Sequence, residues 1–386
     1  MLTTALSREI LARFAPSQIP LGHHWHHPLR VFLTMPTWTL HRSTDRTYVY
    51  SRFARLAHDW PLQFFANTSA RFAGSRAGEH LIGRASALLG VARRESSVVV
   101  PLAVPHDVEV AFSYGFYPRD AGRVPVVWEQ TFAPAEYGHD EDAWLREMRV
   151  LRAEAAERAA FVVTATEASA AWFERAFPDH ARKLRVIPYL MTDVESASDA
   201  LLEAKANETD RIRLLFVGKE ARRKGLETFI AAWQLLGRAS RQRFDVHVVS
   251  SMLDGPVTLP PEWRHSRHVH DVHACMREAH ALVFPTRREA YGLVLPEAMA
   301  AGCIPITSAS PIQRSIVGEN VGFFVDPTQP RDLADALERL SAAPDLLGAR
   351  MHAARDRYQS NFHPATVARA YFGLLTTAAG RVPALA

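Results

Sequence analysis

The chain has 386 residues, 48% of them hydrophobic and 22% charged, with 45 basic against 41 acidic side chains. That length accommodates two domains with buried cores, and the composition excludes a disordered or collagen-like chain. Two cysteines, Cys275 and Cys303, exclude a disulfide framework and a metal-ligand spacing, and read as buried thiols.

There is no charged-then-apolar leader and no run of about 18 apolar residues, so a cytoplasmic protein is expected. Charge is unevenly spread: residues 1–100 hold twelve arginines and no lysine against five acidic residues. Such a basic quarter fits an anionic partner, namely phosphate, an acidic glycan or an anionic membrane surface met peripherally at its inner face. Nucleic acid is not among the expected partners.

In chain order, residues 1–28 read as an extension, and its histidines 23, 24, 26 and 27 lack the carboxylate or thiolate that a zinc shell would add. Val31 to Met35 reads as the first strand. No glycine follows it through Tyr48, which argues against a dinucleotide fingerprint. A helix over 45–58 and a strand over 61–65 are expected next. Residues 71–94 read as an amphipathic, arginine-bearing helix. Strands recur at 97–101, 108–112 and 125–128, leaving Glu129 and Gln130 at a strand end, where ligand residues of open α/β sheets lie. Helices over 142–160 and 167–177 alternate with strands at 161–163 and 184–188, a doubly wound first domain spanning 29–195. Residues 196–210 are polar and serve as the expected linker.

Alternation restarts in a second domain, 211–363. Strands are expected at 213–217, 244–250 and 268–270, with helices over 226–236 and 272–280. The stretch from Ala281 to Ser308 then reads as strand, polar loop, helix over 293–301, and strand at 304–307. Pro296 is tolerated in the first helical turn, where amides lack intrahelical partners, and Gly302 ends the helix. Amides from Ala290 to Leu293 make a phosphate site at the helix mouth. Glu289 stands just before it, and Glu297 one turn in tilts back toward it. A strand at 323–325 and helices over 330–342, 346–358 and 364–378 close the chain.

Directly after strand 213–217 comes Gly218-Lys219-Glu220-Ala221-Arg222-Arg223-Lys224-Gly225. Glycine lets the backbone approach closely and lysine supplies a point charge for phosphate. The spacing is not that of a P-loop, and no Ser or Thr follows Lys224-Gly225.

Together the two loops resemble those of the retaining glycosyltransferases of family 4, the group 1 transferases with the GT-B fold. Gly218-Lys219 and Lys224-Gly225 keep that family's spacing, with lysine for its arginine, and Glu289 and Glu297 match its Glu-x7-Glu element. The likeness covers about 211–327 and, more weakly, 161–188. It implies an α/β fold of two Rossmann-like, doubly wound domains facing each other across a cleft, with the terminal segment 364–386 packing back on the first. It implies that Gly218, Lys219, Lys224 and the segment Ala290, Tyr291, Gly292 and Leu293 hold the diphosphate of a UDP- or GDP-sugar. Glu297 would bind the ribose and Glu289 the transferred sugar. Lys219 and Lys224 would also stabilise the departing diphosphate, so no cofactor or metal is called for. Glu129 and Gln130 would face a glycan or lipid-linked acceptor, as in surface polysaccharide synthesis.

Several positions depart from the family pattern. Ala290 replaces a glycine, Tyr189-Leu190 an Asn-Gly, Pro311-Ile312 part of a glycine loop, and Gln130 or Glu129 a histidine. Those losses keep two alternatives open: a sugar-nucleotide epimerase on the same fold, and a donor-binding partner subunit without turnover.

Overall fold

A computed structural model of the chain describes residues 27–34, 60–66, 99–115, 117–133, 140–191, 194–208, 210–251, 257–343 and 347–381. The expected helix over 45–58, the segment 71–94 and histidines 23–26 lie outside the described residues.

The first unit contains strands β1 (Leu29–Thr34), β2 (Leu62–Ala66), β3 (Val99–Ala103), β4 (Val110–Tyr114), β5 (Tyr117–Asp120) and β6 (Val126–Glu129). Helix α1 (Glu141–Arg158), β7 (Phe161–Thr164), α2 (Glu167–Ala176) and β8 (Leu184–Val186) follow. Six of these strands form a sheet in the order β2-β1-β4-β6-β7-β8, with parallel pairing throughout. Val126 to Glu129 are all buried, as strands covered on both faces must be. The crossover helices start on side-chain caps: Asp140 accepts from the Ala143 amide at 2.9 Å and Thr166 from the Ser169 amide at 3.1 Å. β3 and β5 form a separate parallel pair, and β5 had no counterpart among the expected elements.

The second unit contains β9 (Ile212–Val217), α4 (Leu226–Leu235), α5 (Arg238–Arg241), β10 (Phe244–Val249), β11 (Arg264–Ser266) and α6 (Val272–Glu278), preceded by α3 (Asp199–Asn207). It continues through β12 (Ala281–Phe284), α7 (Val294–Ala300), β13 (Ile304–Ser308), α8 (Pro311–Val317), β14 (Phe323–Val325), α9 (Pro330–Ala342) and α10 (Leu347–Asn361). The sheet order is β11-β10-β9-β12-β13-β14, again all parallel. From β9 the chain winds outward to β11, then returns to β12 and winds the other way. The carboxyl ends of β9 and β12 therefore flank the switch point, where open α/β sheets leave a crevice.

Three expectations need correction. The 196–210 linker contains α3, docked on the second unit: Leu202 is fully buried and the Ala197 amide donates to Ala300 O at 2.8 Å. Lys205 Nζ donates to Ala301 O at 2.9 Å, satisfying an orphan carbonyl at the end of α7. A polar composition concealed this helix because one buried leucine and an aliphatic lysine stem supply its packing. The strand expected at 268–270 lies at 264–266, a three-residue edge strand with little apolar pattern. Helix α8 occupies what was read as a loop; Ser310 caps it, accepting from the Gln313 amide at 3.4 Å, with Pro311 at its first position.

Helix α11 (Pro364–Ala378) leaves the second unit and buries Val367, Tyr371 and Leu375 among Val31, Phe112 and Val127 of the first sheet. The units also meet directly. The Ala168 amide donates to Ser315 Oγ at 3.1 Å, and the Tyr189 and Tyr291 rings lie 4.6 Å apart.

Candidate functional site

At the switch point, the loop after β9 and the loop after β12 are stitched together. The Arg287 amide donates to Arg223 O at 3.0 Å, and Arg223 Nη1 donates to Arg288 O at 2.9 Å. Two glycines permit this approach. A Cβ on Gly218 would lie 2.7 Å from Lys224 Cγ, and one on Gly225 would lie 2.0 Å from Pro285 O. Gly225 also has φ +86°, which costs a side-chain-bearing residue about 1–3 kcal/mol before any clash. Gly225→Ala should therefore lower the urea midpoint of unfolding and push the two loops apart; an unchanged midpoint would contradict the close approach.

The loops bring charge together. Lys224 Nζ donates to Glu289 Oε2 and stands 5.0 Å from the Phe284 ring centroid. Both side chains are largely buried, at 15% and 12% exposure, so the pair is less screened than a surface ion pair. Arg223 Nη1 lies 3.9 Å from the same Glu289 oxygen, while Arg223 Nε donates to Glu220 Oε2 at 2.8 Å. Lys219 is exposed on the rim.

Ala290, Tyr291, Gly292 and Leu293 follow. Their amides have no backbone partner among the described residues. Gly292 takes φ +91°, and a Cβ there would lie 3.2 Å from Glu289 Cγ. In the first turn of α7, Glu297 forms no hydrogen bond or ion pair with a described residue. Burial pushes its carboxyl from an ordinary 4.5 up to about 7.

That shift has a definite sign. Between those pH values the folded chain holds a proton that the unfolded chain has released, so this group's contribution to stability falls as pH rises through about 7. Glu297→Gln, which cannot ionise, should thus melt progressively higher than the parent chain as pH goes from 5 to 8. A melting difference that does not change with pH would show the carboxyl to be solvated.

The first unit supplies the facing wall. Tyr114, Gly115, Glu129, Gln130, Thr131 and Tyr189 close a cleft of about 580 Å³ against Lys219, Lys224 and the 289–297 segment. Glu129 is buried, and its Oε1 accepts from Tyr371 of α11 at 2.8 Å. The Gln130 side-chain amide donates to Thr131 O at 3.0 Å, while its Oε1 has no partner among the described residues. Tyr189 OH shares a hydrogen bond with Thr131 Oγ1, and burial holds that phenol well above its usual pKa. Every candidate residue named from the sequence thus lines one cleft or its rim. Tyr114 and Thr131 were not among them. The available signal was their position at or just past the ends of β4 and β6.

Two parallel-sheet α/β units facing across such a cleft define the GT-B fold, and solved structures agree. Alr3699/HepE from Anabaena, in complex with UDP and glucose, is 14% identical with a TM-score of 0.58, covering 90% of this chain and all of that one. Sucrose-phosphate synthase from Thermosynechococcus elongatus is 17% identical with a TM-score of 0.62, covering 90% and 98%. More particularly, residues 211–343 match the family described as glycosyl transferases group 1. Within curated proteins, the chain is 28% identical over 149 residues to a D-inositol 3-phosphate glycosyltransferase of Paenarthrobacter aurescens, covering 34% of this chain and 36% of the relative. A second enzyme of that name, from Geodermatophilus obscurus, is 31% identical over 165 residues, 37% of each. The matches span little more than a third of these relatives.

Proposed function

We propose that the protein transfers a sugar from a nucleoside diphosphate sugar to a glycan or lipid-linked glycan, with retention of anomeric configuration. The observation that carries this reading is the meeting of the Gly218–Gly225 loop with Glu289–Glu297 at the switch point, opposite the first unit's strand ends. The donor diphosphate takes Lys219, Lys224 and the amides from Ala290 to Leu293, while Glu297 accepts from the ribose hydroxyls. By competing for Lys224, the diphosphate releases Glu289 to accept from a hydroxyl of the sugar. As the glycosidic bond breaks, charge gathers on the departing diphosphate, where the cations already stand. Because the chain supplies those cations, the reaction needs no added cofactor, and activity should survive chelation.

UDP is the first nucleotide to try, since the Anabaena structure holds it; GDP is the second. Calorimetric titration with both, followed by nucleotide release from a donor panel with lipid-linked and soluble glycans, tests the reading. Absence of binding by either nucleotide would refute it. The configuration of the new linkage, read by NMR, tests retention. Among the described residues no helix is long and apolar enough to cross a membrane, so a lipid-linked acceptor would be met at a surface.

A further inference from the structure

A second cavity of about 450 Å³ shares Glu289 with the cleft and is likewise walled by both units. Glu141 and Trp172 face it from the first unit, and Arg288, Gln313 and Asp326 from the second. We propose that this cavity receives an anionic group, phosphate or carboxylate, carried by the acceptor, and that Arg288 binds it. The proposal rests on the transferase reading and adds the acceptor's chemical class.

The reasoning is an accounting of donors and acceptors. Each carboxylate on the wall is engaged: Glu141 by Arg175, Glu289 by Lys224. Asp326 is held by the Thr328 amide at 2.8 Å and hydroxyl at 2.7 Å. The neighbouring guanidinium groups are engaged as well. Arg287 lies 3.4 Å and Arg222 3.5 Å from Glu227, and Arg223 lies 2.8 Å from Glu220.

Two donors remain. The Arg288 guanidinium forms no hydrogen bond or ion pair with any described residue, and Glu220, the carboxylate it influences, is already bound by Arg223. Its backbone is nonetheless pinned, since Arg288 O accepts from Arg223 Nη1 at 2.9 Å and from Thr286 Oγ1 at 3.2 Å. Gln313 is buried to 1% exposure, and its side-chain nitrogen has no partner among the described residues. An unpartnered buried amide is a standing cost that a ligand oxygen would remove. A cavity with spare donors and engaged carboxylates suits a ligand rich in acceptor atoms, and the fork of guanidinium donors suits a planar or tetrahedral oxyanion.

The test is calorimetric titration of the nucleotide-free full chain, in which Lys224 holds Glu289, with glucose, glucose 6-phosphate and glucuronate. At least one anionic sugar should bind about tenfold or more tightly than glucose, and Arg288→Gln should erase that preference while leaving UDP affinity unchanged. Preference for the phosphate alone assigns a phosphomonoester; preference for both assigns either oxyanion. Equal binding of the three sugars, or a preference that survives in Arg288→Gln, overturns the proposal. Failure of both UDP and GDP to bind the parent chain refutes the transferase reading instead. Because the sugar series is run without nucleotide, it decides the cavity separately.

Discussion

Lys224→Ala is expected to weaken UDP binding by roughly 10- to 100-fold, the worth of about 1.5–3 kcal/mol for a hydrogen bond to a charged group. Lys224 is suited to this because it approaches the cleft from behind. Its stem lies along Gly218, where a Cβ would clash, and its ammonium sits near the Phe284 ring at 5.0 Å. Little side-chain freedom is then left to lose when phosphate arrives. Lys224 also holds Glu289, so the substitution strands a largely buried carboxylate beside the phosphates and adds repulsion to the lost attraction. Combining Lys224→Ala with Glu289→Gln should restore part of the affinity, and that recovery measures the coupling. Unchanged UDP affinity in Lys224→Ala would remove this residue from the donor site.

Glu289→Gln should behave in the opposite way. Its loss frees Lys224, so UDP binds as tightly as before or more tightly, while kcat falls by roughly 10²-fold or more through loss of a group that positions the reacting sugar. The distinction is a KM-against-kcat split. A variant that loses donor affinity and keeps kcat would reverse the roles of the two residues. Without a ligand the Lys224–Glu289 pair leaves neither charge bare; in the proposed reaction a diphosphate competes with Glu289 for the lysine.

Much of this site was legible in the residues themselves. Glycines at 218, 225 and 292 are required by close approach or by positive φ, and both constraints are local enough to write themselves into a motif. The Glu289–Glu297 spacing likewise follows from a loop entering a helix. Apart from β5, which was not expected, and β11, which lies four residues before its expected place, the parallel strands showed as short apolar runs whose ends moved by no more than two residues. The family resemblance rested on these same local features, and the match over 211–343 agrees with it.

Other features were not legible, for physical reasons. Helix α3 was hidden because it is mostly polar and is held by Leu202, by Lys205 donating to Ala301 O, and by His280, whose Nε2 lies 2.9 Å from Lys205 O. Those are long-range contacts with no periodic signature. Tyr189 stood out only as a departure from a pattern; that its ring meets Tyr291 and its hydroxyl meets Thr131 depends on how the two units face each other. The tie between Glu129 and Tyr371 spans 242 positions.

The sequence by itself determined the alternating α/β architecture, the two loops and the likeness to group 1 transferases, because each arises from neighbours within about ten residues. Only the tertiary structure decided which groups are paired and which are left open. It set Lys224 against Glu289, left Glu297 without a hydrogen bond or ion pair among the described residues, and walled a second cavity beside Arg288 and Gln313. Pairing and burial are properties of the space between elements, and no single stretch of chain contains that space.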